Sequence, residues 1–69
     1  MKLAINGEAR EIPGTSLTLE EILQYLGIAT EQGGIAVAVN LNVVRRSDWE
    51  KTQIEEQDEI EIIVARQGG

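Results

Sequence analysis

Few side chains in this 69-residue sequence are equipped for chemistry. Cysteine and histidine are both absent, so there is no thiol nucleophile, disulfide, thiolate metal site or imidazole base. Thr15, Ser16, Thr18 and Ser47 fall at expected turns or helix caps, with no histidine to activate them. Glu55, Glu56, Asp58, Glu59 and Glu61 cluster. Strand alternation, however, puts Glu59 and Glu61 on one open face, where a solvated acidic rim outweighs a paired-carboxylate or magnesium site. An all-carboxylate set is also poor ligand chemistry for zinc or iron, and no metal is expected. Gly33-Gly34 lacks the lysine and the capped helix of a phosphate-binding loop. Trp49 reads as a core or edge filler, and Arg45-Arg46 as solvent-facing. What remains is the end of the chain, Arg66-Gln67-Gly68-Gly69. Two adjacent terminal glycines arise by chance about 0.5% of the time at a glycine frequency of ~7%.

A terminal α-carboxylate is ionised at neutral pH and is a poor electrophile. To accept sulfur or to join an amine it must first be activated, as an acyl-phosphate or an adenylate. That requires threading the carboxylate into a closed site that excludes water. Glycine suits such threading, having no Cβ and free φ and ψ. On this reading Gly69 is the reacting residue, Gly68 the slim approach, and Arg66 and Gln67 the link that pairs with groups at the channel mouth. Catalysis by this chain alone is not expected.

Composition narrows the class further. Sixty-nine residues make one small domain, which buries only about 60% of the surface its unfolded chain exposes. Helix caps and a well-filled core must therefore hold the fold. Twelve acidic against six basic residues give a formal charge of −6. That sign disfavours nucleic acid, whose binding is driven by Lys and Arg on phosphates, and steers the protein toward basic protein surfaces. The apolar stretch of M-K-L-A-I-N-G is too short for a signal peptide. No apolar run approaches the roughly 20 residues of a membrane helix, so a cytoplasmic protein is expected, with no membrane partner.

The elements that would carry the tail are legible. Met1, Leu3 and Ile5 alternate with polar or small residues, Asn6-Gly7 signals a type I′ turn, and Glu8 to Ile12 returns as a second strand. Thr18 with Glu21 makes a capping box, and Leu17 with Ile22 a hydrophobic staple. Leu19, Ile22, Leu23 and Leu26 form one apolar stripe. Gly27 ends the helix, with Ile28 placed to touch Leu23. A strand is expected over Ile35–Asn40, then a turn, a short Val43-Val44 segment, and a helical turn around Trp49 capped by Ser47 and Glu50. The last strand runs from Glu59 to Ala65. The whole is an α+β domain over residues 1–65, a mixed sheet of four to five strands on one helix of about nine residues. Residues 66–69 are expected to form a flexible tail.

If Met1, Leu3, Ile5, Ile35, Val37, Val39, Ile60, Ile62 and Val64 face the helix, the other face carries Ala4, Ala36, Ala38, Ile63 and Ala65 beside Glu59 and Glu61. A flat apolar patch with a charged rim suits docking onto another protein. Small residues that simply tile an uncovered sheet face are the equal alternative.

Six stretches carry a family resemblance: I-N-G at 5–7, T-L-E-E-I-L-Q-Y-L at 18–26, A-V-A-V-N at 36–40, V-V-R-R-S-D-W at 43–49, D-E-I-E-I at 58–62 and the terminal Q-G-G. In order and spacing the chain resembles the ubiquitin-like β-grasp family and, within it, the sulfur carriers of thiamine biosynthesis. The resemblance implies that an E1-like adenylating enzyme, using ATP and magnesium, activates Gly69. It further implies that a sulfur donor, a cysteine desulfurase system, turns the adenylate into a thiocarboxylate, and that thiazole synthase consumes the sulfur. The carrier itself would bind no cofactor. The family often has proline where this chain has Arg45, a difference confined to the local turn. The small subunit of molybdopterin synthase, a ubiquitin-like protein modifier and a plain interaction module stand as alternatives. V-V-R-R-S-D-W and the short length favour the thiamine type.

Overall fold

The computed structural model describes residues 1–65. The chain opens with β1 (Lys2–Ile5) and β2 (Glu8–Glu11), paired antiparallel. Asn6 and Gly7 between them have φ of 51° and 83°, the two positive values that a type I′ turn needs. A two-residue strand, β3 (Leu17–Thr18), leads directly into helix α1 (Leu19–Tyr25).

Every N–H of the first helical turn that lacks an intrahelical partner finds another. Leu19 donates to the Thr52 carbonyl at 2.8 Å and Glu20 to the Trp49 carbonyl at 3.1 Å. Glu21 N–H donates to Thr18 Oγ1, while Thr18 N–H donates to Glu21 Oε1, the reciprocal capping box. At the other end Gly27 (φ 81°) donates to the Gln24 carbonyl and Ile28 to the Leu23 carbonyl. That is the Schellman pattern, and Ile28 packs against the core beside it.

The chain returns as β4 (Ile35–Val39) and β5 (Asn42–Val44), a second hairpin closed by Asn40 and Leu41, both at positive φ. A 3₁₀ turn at Arg46–Asp48 follows, then β6 (Gln53–Ile54) and β7 (Glu59–Val64). The main sheet has the order β2-β1-β7-β4-β5, with β1 and β7 parallel in the middle and the other pairs antiparallel. β3 and β6 make a separate two-stranded sheet. This is the mixed five-stranded sheet with one helix that the β-grasp resemblance implies.

Leu3, Ile5, Val37 and Ile60 bury the helix-side face of the sheet against Leu19, Ile22 and Leu23. Ile12, Trp49 and Ile54 complete the core, all at most 1% exposed, from segments that carry no long periodic pattern. The sheet β3–β6 was not expected. It lets Ile54 enter the core beside the start of α1, by pairing Leu17 with Ile54.

Three expectations are corrected. Val64 is not buried in the core; it is 50% exposed. α1 has seven residues, about 10 Å of helix, and cannot cover the six residues, about 20 Å, of β7. Burial therefore fades from Ile60 through Ile62 to Val64. The helix is also shorter than the nine residues expected, because Leu26 is already its C-cap. Finally, Ser47 and Glu50 form no capping box. The helical turn begins two residues earlier, with Arg45 at the cap position and no side-chain cap bond, and is closed by Asp48 N–H donating to the Arg45 carbonyl.

Arg45 itself has φ −65° and ψ 146°, proline's own φ, and Val44 before it lies in a strand, as a residue preceding proline must. The two-residue hairpin makes Val39–Asn42 a hydrogen-bonded pair, so alternation makes Val37–Val44 one too and turns the Arg45 N–H away from β4. Arg45→Pro is expected to stabilise the fold by about 0.4–1 kcal/mol. The check is a higher urea midpoint with an unchanged slope.

Candidate functional site

β7 is the element that leads to the end of the chain, and it is held from both sides. On one side β4 pairs with it from Val39–Ile60 to Ile35–Val64. One more backbone bond, Ala65 N–H to the Gly34 carbonyl at 2.7 Å, extends that ladder. On the other side β1 runs out at Ile5–Ile60. There the Asn6 side chain continues the pairing: its Oδ1 accepts from Ile62 N–H at 2.7 Å and its Nδ2 donates to the Ile62 carbonyl at 3.2 Å. Asn6, singled out only as a turn residue, thus also serves as a strand extension. No local signal marks that role, since its partner is 56 positions away.

The face of the sheet away from α1 is open. Ala36, Ala38, Glu61 and Ile63 converge there on a shallow depression of about 90 Å³, together with Val37 and Val43. Ile63 is 64% and Val43 80% exposed, so apolar surface lies in solvent. Val43 was missed as a docking residue, although counting outward from the Asn40-Leu41 turn places it opposite Ala38. Glu59 shares the face but not the depression. It pairs with Ala4 and lines a neighbouring depression of about 190 Å³ with Lys2, Ala9 and Gln57. Ala65 is exposed at the end of β7, one residue beyond the Ile35–Val64 pair.

The remaining acids of the cluster hold turns rather than a ligand. Asp58 Oδ2 accepts from Glu55 N–H and Asp58 Oδ1 from Asn40 Nδ2, while Glu56 Oε2 accepts from Lys2 N–H. Among the described residues, no three His, Cys, Asp or Glu side chains are grouped as metal ligands. Trp49 is buried, its Nε1–H donating to the Val44 carbonyl at 3.0 Å, with the Arg46 guanidinium 4.6 Å above its ring. Arg46 also donates to the Gln32 carbonyl, so it is not simply solvent-facing. No helix of the described residues is long and apolar enough to cross a membrane. The expected reacting and threading residues Arg66, Gln67, Gly68 and Gly69 lie outside the described residues.

The sequence and the fold both have relatives among known proteins. The ThiS family model matches residues 3–69. The fold superposes on the crystal structure of a thiamine biosynthesis protein (ThiS) from Geobacter metallireducens with a TM-score of 0.83, at 28% identity and 100% coverage of both chains. A solution NMR structure of a thiamine biosynthesis protein from the same organism gives 0.84, at 28% identity over 100% of this chain and 88% of that one. A thiazole synthase of Paramagnetospirillum magneticum is 36% identical over all 69 residues, which span only 20% of its length. The chain belongs to the ThiS family and is a ubiquitin-like β-grasp protein of the sulfur-carrier type.

Proposed function

We propose that this protein carries sulfur on the carboxyl group of Gly69 for construction of the thiazole ring of thiamine. The observation that carries this reading is the match to the ThiS family through residue 69. The likeness to a stretch of a thiazole synthase supports thiazole synthase as the consumer and favours it over molybdopterin synthase. The sequence has no thiol or imidazole, and on this reading the chain is the substrate of its partner enzymes, offering them only its terminal carboxylate.

The first step is adenylation by an E1-like enzyme with ATP and magnesium. A Gly69 carboxylate oxygen attacks the α-phosphorus of ATP, the bond to pyrophosphate breaks, and an acyl-adenylate forms. In the second step the terminal sulfur of a persulfide, supplied by a cysteine desulfurase system, attacks the acyl carbon, and AMP leaves with the original oxygen to give an acyl disulfide. A thiol reductant then cleaves the sulfur–sulfur bond, which leaves the thiocarboxylate on Gly69 and the donor's sulfur in a disulfide. Gly68, Gln67 and Arg66 thread the carboxylate to the reacting centre, and glycine's lack of Cβ keeps that path narrow. These reactants place the carrier in the cytoplasm.

Ile63, Ala36, Ala38 and Ala65, with Glu59 and Glu61 at the rim, form the docking surface for the activating enzyme, and Val43 joins them. The net charge of −6 favours a partner with a basic rim. Ile63→Lys then removes an apolar anchor and adds a like charge. The expected result is a rise of about 30-fold in the KM for the carrier in ATP–pyrophosphate exchange. Because Ile63 is exposed, stability should change by no more than about 1 kcal/mol.

Intact mass tests the central proposal. After incubation with the activating enzyme, ATP and the sulfur donor, the chain is expected to gain the mass of one oxygen-to-sulfur exchange, located at Gly69 by fragmentation. No gain under conditions that load a known carrier would remove the reading.

A further inference from the structure

Gly34 is the point where the fold touches the residue that leads into the tail. Its φ is +80°, and its carbonyl accepts the Ala65 N–H at 2.7 Å. A Cβ on Gly34 would lie 3.2 Å from the Ala65 carbonyl oxygen and 3.6 Å from the Ala65 Cβ. The second distance is ordinary contact, but the first is tighter than ordinary packing and falls on a backbone atom, so the Ala65 carbonyl would have to give by a few tenths of an ångström.

The segment carrying Gly34 is tied down independently. The Schellman end of α1 fixes it at Ile28, and Gln32 N–H donates to the Ala29 carbonyl at 3.0 Å. Arg46, stacked 4.6 Å over the buried Trp49, donates to the Gln32 carbonyl. Trp49 in turn is bonded to β5 through the Val44 carbonyl. Gly34 is thus presented to Ala65 from an anchored loop and not from a free one.

We infer that Gly34 is a positioning residue for the carrier reaction: it sets the direction in which the chain leaves β7 at Ala65, and hence where the Gly69 carboxylate arrives. The inference rests on the carrier reading above. It differs from the docking surface, because Gly34 would govern the placement of the reacting group after the partner is bound.

A second glycine provides the control. Gly27 has φ +81°, the same left-handed backbone, but a Cβ there meets nothing within 4 Å. Gly27→Ala and Gly34→Ala therefore carry the same conformational penalty, and only the second presses on Ala65. Gly34→Asn relieves that penalty, since Asn tolerates the left-handed region, while keeping the Cβ. The assay is ATP–pyrophosphate exchange by the E1-like adenylating enzyme with the carrier concentration varied.

A misplaced carboxylate lowers kcat at saturating carrier, whereas a partly unfolded carrier only raises apparent KM. Gly34→Ala and Gly34→Asn are expected to lose about tenfold in kcat with KM within about twofold of the parent. Gly27→Ala should keep its kcat. Equal kcat for the Gly34 and Gly27 variants, or an effect of the Gly34 variants on KM alone, overturns the inference and leaves the carrier reading intact. Absence of exchange with the unaltered chain overturns the carrier reading, and the inference falls with it.

Discussion

Deletion of Gly69 is expected to abolish sulfur loading while leaving the unfolding transition in place. The sequence has no cysteine to take the sulfur, and Thr18 Oγ1 and Asp58 Oδ2 are engaged in a helix cap and a turn. On the carrier reading the reaction therefore depends on one carboxylate, that of Gly69, bringing its oxygen to the α-phosphorus of ATP. Removing a residue from an extended chain withdraws that carboxylate by about 3.5 Å, and a misplacement of about 1 Å already costs on the order of 10²-fold in rate. Exchange of pyrophosphate should fall below about 1% of the parent value by that criterion. Extending the chain by one residue should do the same, because the carboxylate then lies past the reacting centre. Stability should not follow, since the whole buried core lies between Leu3 and Ile60. A deletion variant that still gains sulfur would place the chemistry elsewhere and end the Gly69 proposal.

The parts of this fold that local chemistry dictates were legible in the sequence. Asn6-Gly7 needs two positive φ values and has them. Thr18 and Glu21 satisfy each other within a single turn, and Gly27 with Ile28 closes the helix by backbone bonds only a few residues long. What escaped notice depends on partners distant in sequence. β3 and β6 have two residues each, too few to show a period, and exist only because Leu17 meets Ile54. Ile12 and Ile54 are core residues for the same reason. The Ser47–Glu50 spacing fits a cap, yet a backbone bond from Asp48 to the Arg45 carbonyl starts the turn earlier and leaves that spacing without a role. Val64 alternates correctly but lies past the end of a helix whose length the pattern overstated.

The candidate site divides along the same line. Ile63, Ala36, Ala38 and Glu61 follow from alternation on neighbouring strands and do come together. Val43 needed the register of β5, which the two-residue turn fixes. Gly34 read as an incidental half of a glycine pair. Its closeness to Ala65 exists only once β4 and β7 are aligned, because the two residues face each other one step beyond Ile35–Val64.

Trp49→Ala is expected to cost about 3–5 kcal/mol, against a total of roughly 3–10 kcal/mol for a domain of this size. The indole is 1% exposed and sits among Leu19, Ile22, Leu23 and Ile54 in one core cluster. With no disulfide to limit the unfolded chain, the lost volume has no compensation. Trp49→Phe separates packing from hydrogen bonding: most of the ring remains, but Nε1–H no longer reaches the Val44 carbonyl. Its expected cost is about 1–3 kcal/mol, the penalty of a partly buried carbonyl left without its donor. Both variants also weaken the platform under Arg46, and through it the loop that presents Gly34 to Ala65. Urea unfolding checks the two costs, and pyrophosphate exchange under conditions where Trp49→Phe stays folded checks the coupling. If the indole only fills the core, Trp49→Phe keeps its kcat. If it also steadies the Arg46–Gln32 anchor, kcat falls in the same direction as for Gly34→Ala, by a smaller factor, because one anchor of that loop is weakened while the Gly34–Ala65 contact itself is unaltered.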